Sequence, residues 1–487
     1  MRQLVIRNCS VLVVPETGEC RVDEAQDIHI QDGAITRITN TTSADTPDGR
    51  GDPAGEGGAN RSAAGSAETG VEVLDATGLL AVPGLTNSHT HSPMVMMRGA
   101  AEDVSIDDWF NRKIWPMEVN LTPERVKVGA RLACAEMLLA GVTTFVDHYF
   151  HADQIAAAAL ESGIRADLAP TFFSSTGPEA REAAFTAARE IRALGEASSR
   201  QSRPTASRGE APASRPPRIT ASLGPHAPYT VTDEDLRRTA EVARAEGFRI
   251  HLHAAETDDQ TQSSIDQHGV TPIEVLARTG VLEAGALIAH GCGIREADLP
   301  LLQPYADRTT IACCPKVYLK LAMGSTTPIK ALQKIGIPVG IGTDGAAVHN
   351  TLDVWESLRL VALTQKQREQ NAEWMTLSDT LRLATRGGAT AAGLKNLTGA
   401  LEPGRRADIA LVDLKAPHHQ PIHDPRASLV YSTRASDVVH VLVDGEVVVR
   451  DRTLTKVDLT EILEDARSLA HTLVDLSANA TIQTYAP

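Results

Sequence analysis

Four short clusters, spread over about half of the chain, offer imidazoles and a carboxylate. They are SHTH at Ser88–His91, HLHAAE at His251–Glu256, AHG at Ala289–Gly291 and GTDG at Gly342–Gly345. Each follows a short apolar, β-rich run. Ligands of this kind at the ends of successive strands suit a catalytic zinc-type ion, which needs N/O donors and one open position for water. His89 and His91 are separated by one residue, a spacing that puts both rings on one face of a strand. His251 and His253 share it; His253, nearer the strand end, is the candidate ligand, and His251 reads as a buried, hydrogen-bonded core histidine. His290 could ligate the ion or hydrogen-bond its water. Asp344, flanked by glycine-rich sequence that permits close approach, could bind the ion through one oxygen and accept the water's proton on the other. Glu256 lies three residues past His253 and suits a proton shuttle.

These residues need a frame that brings strand ends together. Eight apolar runs supply it: LLAVPGLTN, TTFVDHYF, RADLAPTFF, ITASLGPHA, FRIHLHAAE, ALIAHGC, TTIACCP and PVGIGTDG. Helical stretches such as Arg125–Ala140 and Asp233–Glu246 separate most of them. That alternation predicts an α/β fold, a (β/α)8 TIM-like barrel, in which chemistry sits at the C-terminal ends of the strands. The sequence before and after the barrel reads as short strands with turns at Thr17–Gly18, Asp32–Gly33 and Asp444–Gly445, which predicts a small β-sandwich built from both chain ends. The expected division is 1–78 and 398–487 for the sandwich and 79–397 for the barrel, with a terminal helix in Asp458–Asn479. Residues 41–70 and 195–217 are rich in small and polar types and read as flexible insertions.

Composition narrows the function classes. The chain has 487 residues, 42% of them hydrophobic and 22% charged, with a formal net charge of −15. An acidic balance argues against nucleic-acid or anionic-membrane partners, both of which attract a basic surface. No apolar run approaches a membrane span, and the alternating N-terminus lacks a secretory pattern. Cys9, Cys20, Cys134, Cys292, Cys313 and Cys314 form no CxxC pair and read as reduced thiols. A cytoplasmic enzyme with a small-molecule substrate is the expectation.

PGLTNSHTHSPM, GPHAPY, HLHAAET, AHG and GTDG together resemble the amidohydrolase superfamily, in its aminohydrolase and chlorohydrolase branch. The pattern is most similar to the S-adenosylhomocysteine/5′-methylthioadenosine deaminase family. That resemblance implies one divalent ion, zinc or alternatively iron, held by His89, His91, His253 and Asp344. GPHAPY lacks the bridging lysine of binuclear members, in keeping with a single metal. It also implies catalytic roles for Glu256, His290 and Asp344, and substrate contacts from Trp109, Glu118 and His226. Of these, Glu118 would take ribose hydroxyls and His226 the purine. The implied reaction is hydrolytic deamination of an adenine nucleoside modified at its 5′ position. A triazine chlorohydrolase or aminohydrolase and a guanine-type deaminase are the alternatives, and a homo-oligomer, dimer or tetramer, is implied. One departure stands out: Val317 and Tyr318 replace a small polar pair usual after the seventh strand, which places Lys316 and Tyr318 as candidates for the pocket.

Overall fold

The computed structural model describes residues 3–41, 70–201 and 216–485. Residues 42–69 and 202–215, which make up most of the two stretches read as flexible insertions, lie outside the described residues.

Five strands come first: β1 (Gln3–Val13), β2 (Arg21–Gln31), β3 (Ala34–Asn40), β4 (Val71–Asp75) and β5 (Leu79–Pro83). Nine follow that carry the site: β6 (Leu85–Thr90), β7 (Val142–Tyr149), β8 (Arg165–Phe172), β9 (Ile219–Ala221), β10 (Gly224–Pro225), β11 (Ile250–Ala254), β12 (Ala286–His290), β13 (Thr310–Cys313) and β14 (Val339–Ile341). The last four are β15 (Ile409–Asp413), β16 (Val438–Val443), β17 (Glu446–Arg450) and β18 (Thr453–Leu454).

The fold is mixed α/β. The middle strands form two parallel sheets, β10-β8-β7-β6 with β9 on β8, and β11-β12-β13-β14. A parallel bridge from Leu223 to Ile250 links one to the other. Nearly every residue of these strands is buried, as expected of parallel strands covered on both faces. Helices Pro123–Leu139, Ala152–Ser162, Asp233–Glu246 and Val354–Glu369 lie between or beside them. Three of these start at a Thr or Asp whose side chain accepts from a first-turn N–H, the usual N-cap economy.

The two chain ends meet in one nine-stranded sheet, ordered β18-β17-β16-β15-β5-β1-β2-β3 with β4 on β1. Its core is separate and aliphatic, with Leu4, Ile6, Ile28, Ile35, Leu411 and Leu442 among its members. Asp32–Gly33 and Asp444–Gly445 both take positive φ, as tight hairpin turns require. The two turns touch: a Cβ on Gly33 would lie 2.3 Å from the Asp444 carbonyl oxygen. A buried, bidentate pair ties this sheet to the parallel ones. Arg165 on β8 donates to both Asp408 oxygens, at 3.0 and 3.1 Å.

Three expectations change. LLAVPGLTN is two strands in two sheets, not one: β5 pairs with β1 and β15, and β6 pairs with β7. The break falls at Gly84, where a Cβ would come within 2.2 Å of Thr143. Residues 195–201 belong to the helix Pro178–Gln201. Gly195 there serves packing, since its missing side chain admits the Ile219 carbonyl of β9. The terminal helix expected in Asp458–Asn479 runs only over Leu459–Leu473 and docks on the helix Pro123–Leu139 through Arg131, which pairs with Glu461 and Asp465.

Candidate metal centre and active-site cleft

The ends of β6, β11, β12 and β14 converge. His89 lies in β6 and His91 just beyond it; His253 is in β11, His290 closes β12, and Asp344 follows β14. All five are buried. His91 Nε2 is 3.3 Å from His253 Nε2 and 3.2 Å from Asp344 Oδ1, and His89 Nε2 is 3.7 Å from the same oxygen. A tetrahedral ion with bonds of about 2.1 Å sets its ligands about 3.4 Å apart along each edge. These spacings fit that ion.

The tautomers are prepared for it. His91 Nδ1 donates to the His148 carbonyl at 2.6 Å, and His253 Nδ1 to the His226 carbonyl at 3.0 Å. A carbonyl can only accept, so each Nδ1 carries a proton and each Nε2 is the nitrogen turned towards the metal position; at His91 that nitrogen must give up its proton to Asp344 or water before it can ligate. His89 Nδ1 sits 2.9 Å from His251 Nε2, which leaves His89 Nε2 buried with no hydrogen-bond partner. An orphaned buried nitrogen beside three other donor atoms fits the ligand set of a cation. Burial drives the His89 and His253 imidazoles well below their ordinary pKa, so both are neutral, the state a metal binds. At His91 burial acts in the same sense, but Asp344 outweighs it and lifts the group to about 9.

His251 is thus a support for His89. Orienting partners of this kind are typically worth about 10–100-fold in metal affinity. His251→Ala should weaken zinc binding by about that factor in a chelator competition; unchanged affinity would remove the supporting role.

Asp344 divides its oxygens. Oδ1 faces His89 and His91, and Oδ2 lies 3.8 Å from His290 Nε2. Glu256 Oε1 is also 3.8 Å from that nitrogen. Burial works against charge on Asp344, yet His91 keeps its carboxyl below the usual range; at Glu256 burial prevails and raises it. One acid is therefore held ionised and its neighbour inclined to keep a proton. Ala255, His290 and Asp344 all adopt positive φ near 50–75°. Non-glycine residues in that region cost about 1–3 kcal/mol each and cluster at functional sites.

Above this cluster opens a cleft lined by aromatic and titratable side chains. Trp109, Glu118 and His226 all line it, together with His91, His253, Glu256, His290 and Asp344. Glu118 is buried, accepts a 2.7 Å hydrogen bond from Tyr149, and is pushed by burial up to about 7. His226 packs against Phe173 at 4.7 Å and pairs with Thr230, and burial lowers it to about 3. Trp109 holds a buried indole N–H without a partner.

The candidates after the seventh strand fall elsewhere. Lys316 pairs with Glu356 at 2.8 Å, and neither it nor Tyr318 lines the cleft. Tyr318 instead backs His290: its hydroxyl accepts from Cys314 N–H and lies 3.2 Å from Thr327, whose own hydroxyl bonds the His290 carbonyl. The bulkier pair is a wall behind the site and not part of its lining. Two residues went unnoticed in the sequence. His148, at the end of β7, lines the cleft and orients His91; the run TTFVDHYF carried the same strand-end histidine signal as SHTH. Tyr149, which holds Glu118, stood beside it. The six cysteines are free and buried.

The amidohydrolase family model matches residues 80–448. A 5-methylthioadenosine/S-adenosylhomocysteine deaminase of Pelotomaculum thermopropionicum is 39% identical over 402 residues, 82% of this chain and 88% of that protein. A protein of the same name from Natronomonas pharaonis is 38% identical over 418 residues, 85% of this chain and 91% of that one. Among solved structures, a zinc-bound adenosine deaminase from Xanthomonas campestris aligns over 97% of this chain and 98% of its own, with a TM-score of 0.81 and 28% identity. The zinc complex of an atrazine chlorohydrolase from Arthrobacter aurescens, at 23% identity and a TM-score of 0.78 over 96% of this chain and all of its own, shares the fold. A buried set of histidines and an aspartate at parallel strand ends, joined to a match over most of the length, leads to one assignment: the chain is an enzyme of the amidohydrolase family.

Proposed function

We propose that this enzyme hydrolytically deaminates adenine nucleosides altered at the 5′ position, using one zinc ion held by His89, His91, His253 and Asp344. The observation that carries the reading is the placement of two carboxyl oxygens, Asp344 Oδ2 and Glu256 Oε1, each 3.8 Å from His290 Nε2 at the base of the cleft. When bound, the ion supplies Lewis acidity that lowers the pKa of a water in its open position to about 7. Asp344 Oδ2 accepts the proton of the attacking water, and His290 Nε2 orients that water by a hydrogen bond. Glu256 delivers the proton held at Oε1 to the ring nitrogen beside the attacked carbon, which makes the carbon electrophilic. The carbon becomes tetrahedral, Asp344 passes the water's proton on to the amino group, and ammonia leaves as the carbon–oxygen double bond forms and the hydroxyl proton returns to Glu256.

His226 and Trp109 hold the purine, and Glu118 takes the ribose diol. The names of the most similar relatives and of the zinc-bound neighbour support a nucleoside substrate. The same reading takes the two parallel sheets as one closed (β/α)8 barrel. The bridge from Leu223 to Ile250 and the approach of β14 to β6 support closure. It takes the nine-stranded sheet as a small sandwich folded about its own core, with 1–78 and 398–487 supplying most of it around a barrel in 79–397. The pairing of β5 moves the first junction to Pro83–Gly84. No helix of the described residues is long and apolar enough to cross a membrane; a cytoplasmic homo-oligomer, dimer or tetramer, completes the proposal.

The test is ammonia release from adenosine, 5′-deoxyadenosine, 5′-methylthioadenosine, S-adenosylhomocysteine, guanine and melamine by zinc-loaded protein. Turnover of the 5′-modified adenosines is expected to dominate; turnover confined to melamine or guanine would replace the reading. Glu118→Ala should raise KM for the nucleosides about 10–100-fold, the worth of one hydrogen bond to a charged group. With its pKa raised to about 7 in the empty cleft, Glu118 ionises as pH rises through that value and then offers acceptors to both hydroxyls. KM for a riboside is therefore expected to fall over that window, and to lose that dependence in Glu118→Gln. The folded protein has the opposite slope. A raised carboxyl stabilises it fully below the unfolded value of about 4.5 and loses that contribution as pH climbs through about 7.

A further inference from the structure

Beyond the family's metal and nucleoside residues, one buried side chain packed behind the cleft wall comes from far along the chain. Residues 474–485 follow the helix Leu459–Leu473 and are mostly exposed, but Tyr485 is buried. Two asparagines clasp the segment. Asn120 Nδ2 donates to the carbonyls of Leu473 and Asp475, at 3.0 and 2.6 Å. Asn111 grips Tyr485 itself: the Tyr485 N–H donates to Asn111 Oδ1 at 2.7 Å, and Asn111 Nδ2 donates to the Tyr485 carbonyl at 3.1 Å. The Tyr485 ring lies flat on Phe110, with centroids 4.7 Å apart and planes 17° from parallel, and meets Tyr229 edge-on at 5.7 Å. Phe110 and Tyr229 both line the cleft.

The hydroxyl at the end of that ring reaches the catalytic carboxyl through one residue. Gln260 is buried, and each of its amide atoms is engaged. Its Oε1 accepts from the Glu256 N–H at 3.1 Å, and its Nε2 donates to Glu256 Oε2 and to Tyr485 Oη, both at 3.2 Å. A flipped amide would set its NH2 against the Glu256 N–H, which can only donate, so the orientation with Oε1 on that N–H is the one that satisfies the network. With Oε2 accepting from Gln260, the proton of Glu256 belongs on Oε1, the oxygen facing His290. Remove the phenol oxygen, and one buried amide proton loses its partner, which costs about 1–3 kcal/mol in an enclosed site. The Gln260 amide keeps its two bonds to Glu256 but loses the third, and the carboxyl is held less firmly.

We propose that Tyr485 is a positioning residue of the active site, which acts through Gln260 to hold the Glu256 carboxyl in its proton-donating orientation and through Phe110 to hold the aromatic wall of the cleft. The inference rests on the deaminase reading of Glu256. It separates two functions of one side chain: the hydroxyl serves turnover, and the ring serves substrate binding.

A double-mutant cycle on the zinc-loaded, full-length enzyme tests it, with 5′-methylthioadenosine as the probe, and zinc content and Tm measured for every variant. Tyr485→Phe keeps the ring and is expected to lower kcat by about three- to tenfold with KM within about twofold, at unchanged zinc content. Gln260→Ala is expected to lower kcat further, by about ten- to fiftyfold. Adding Tyr485→Phe to Gln260→Ala should then change kcat by less than about twofold, because the hydroxyl has nothing left to act through. Tyr485→Ala should raise KM as well. A normal kcat in Tyr485→Phe overturns the proposal. So does an equal loss from Tyr485→Phe in both backgrounds, which marks a merely structural effect. Glu256→Gln, run alongside, keeps the two readings apart. If it is inactive while Tyr485→Phe is normal, the positioning role alone fails; if it is active, the role of Glu256 fails first.

Discussion

Glu256→Gln is expected to keep its zinc and lose turnover by about 10²–10⁴-fold, the usual span for removal of a general acid–base group. In barrier terms that is about 3–5 kcal/mol. The glutamine is nearly isosteric and can still accept from Gln260 Nε2, so the hydrogen bonds that hold this corner need not collapse. It cannot deliver a proton as the carboxyl does. Burial raises the Glu256 carboxyl, which favours its protonated, donating form. Activity dependent on that proton should decline on the alkaline side as the group ionises, and this limb should vanish in Glu256→Gln. The decisive comparison is kcat at matched zinc content. A variant with full metal and a near-normal rate would mean that protonation of the ring comes from elsewhere, and among the described residues no other buried carboxyl lies as near His290 except Asp344.

The sequence carried the ligands clearly because their signal is geometric at short range. A histidine pair one residue apart, on a strand, has only one arrangement of its side chains. The same logic covers His253, His290 and Asp344, each placed at the end of its own apolar run. It fails where a contact joins remote segments with no local pattern. Tyr485 is 225 residues from Gln260 and is found only when the segment after Leu473 is followed to its contact with Gln260. His251 was legible as buried, but its bond to His89, 162 residues away, was not. His148 is the instructive middle case: its strand-end position was readable, and its contribution, a backbone carbonyl to His91, leaves no trace in residue type.

The fold follows the same division. Alternation of strand and helix is a local property and read correctly as mixed α/β with parallel strands. Sheet membership is not local. Leu79–Thr90 is one apolar run whose halves pair with different partners, because Gly84 lets the chain pass against Thr143 and change sheets. Gly195 misled in the other direction. In a segment rich in Ser, Arg and Ala it reads as a loop signal, yet here its missing Cβ is what lets a helix close on β9. Glycine marks both freedom and close packing, and only the neighbour decides between them.

Asp344→Asn should be the most damaging single substitution in the cleft, because one residue carries two tasks on two oxygens. Oδ1 lies with the His89 and His91 nitrogens, and Oδ2 faces His290. The amide retains shape but loses the charge that a divalent ion attracts, and it has no lone pair basic enough to take a proton from water. Zinc affinity should fall by at least about tenfold, and kcat at saturating zinc by about 10³-fold or more, about 4 kcal/mol of barrier. Saturating metal separates the two tasks: it restores occupancy and leaves the proton acceptor missing. The same variant removes the carboxylate that now lifts His91 to about 9, so the metal-free protein should no longer hold a proton there at neutral pH, an effect that NMR of the imidazole reads directly. If zinc restored both occupancy and rate, Asp344 would be a ligand only, and the water's proton would have to leave by way of His290 or Glu256, the remaining groups within reach of the open position.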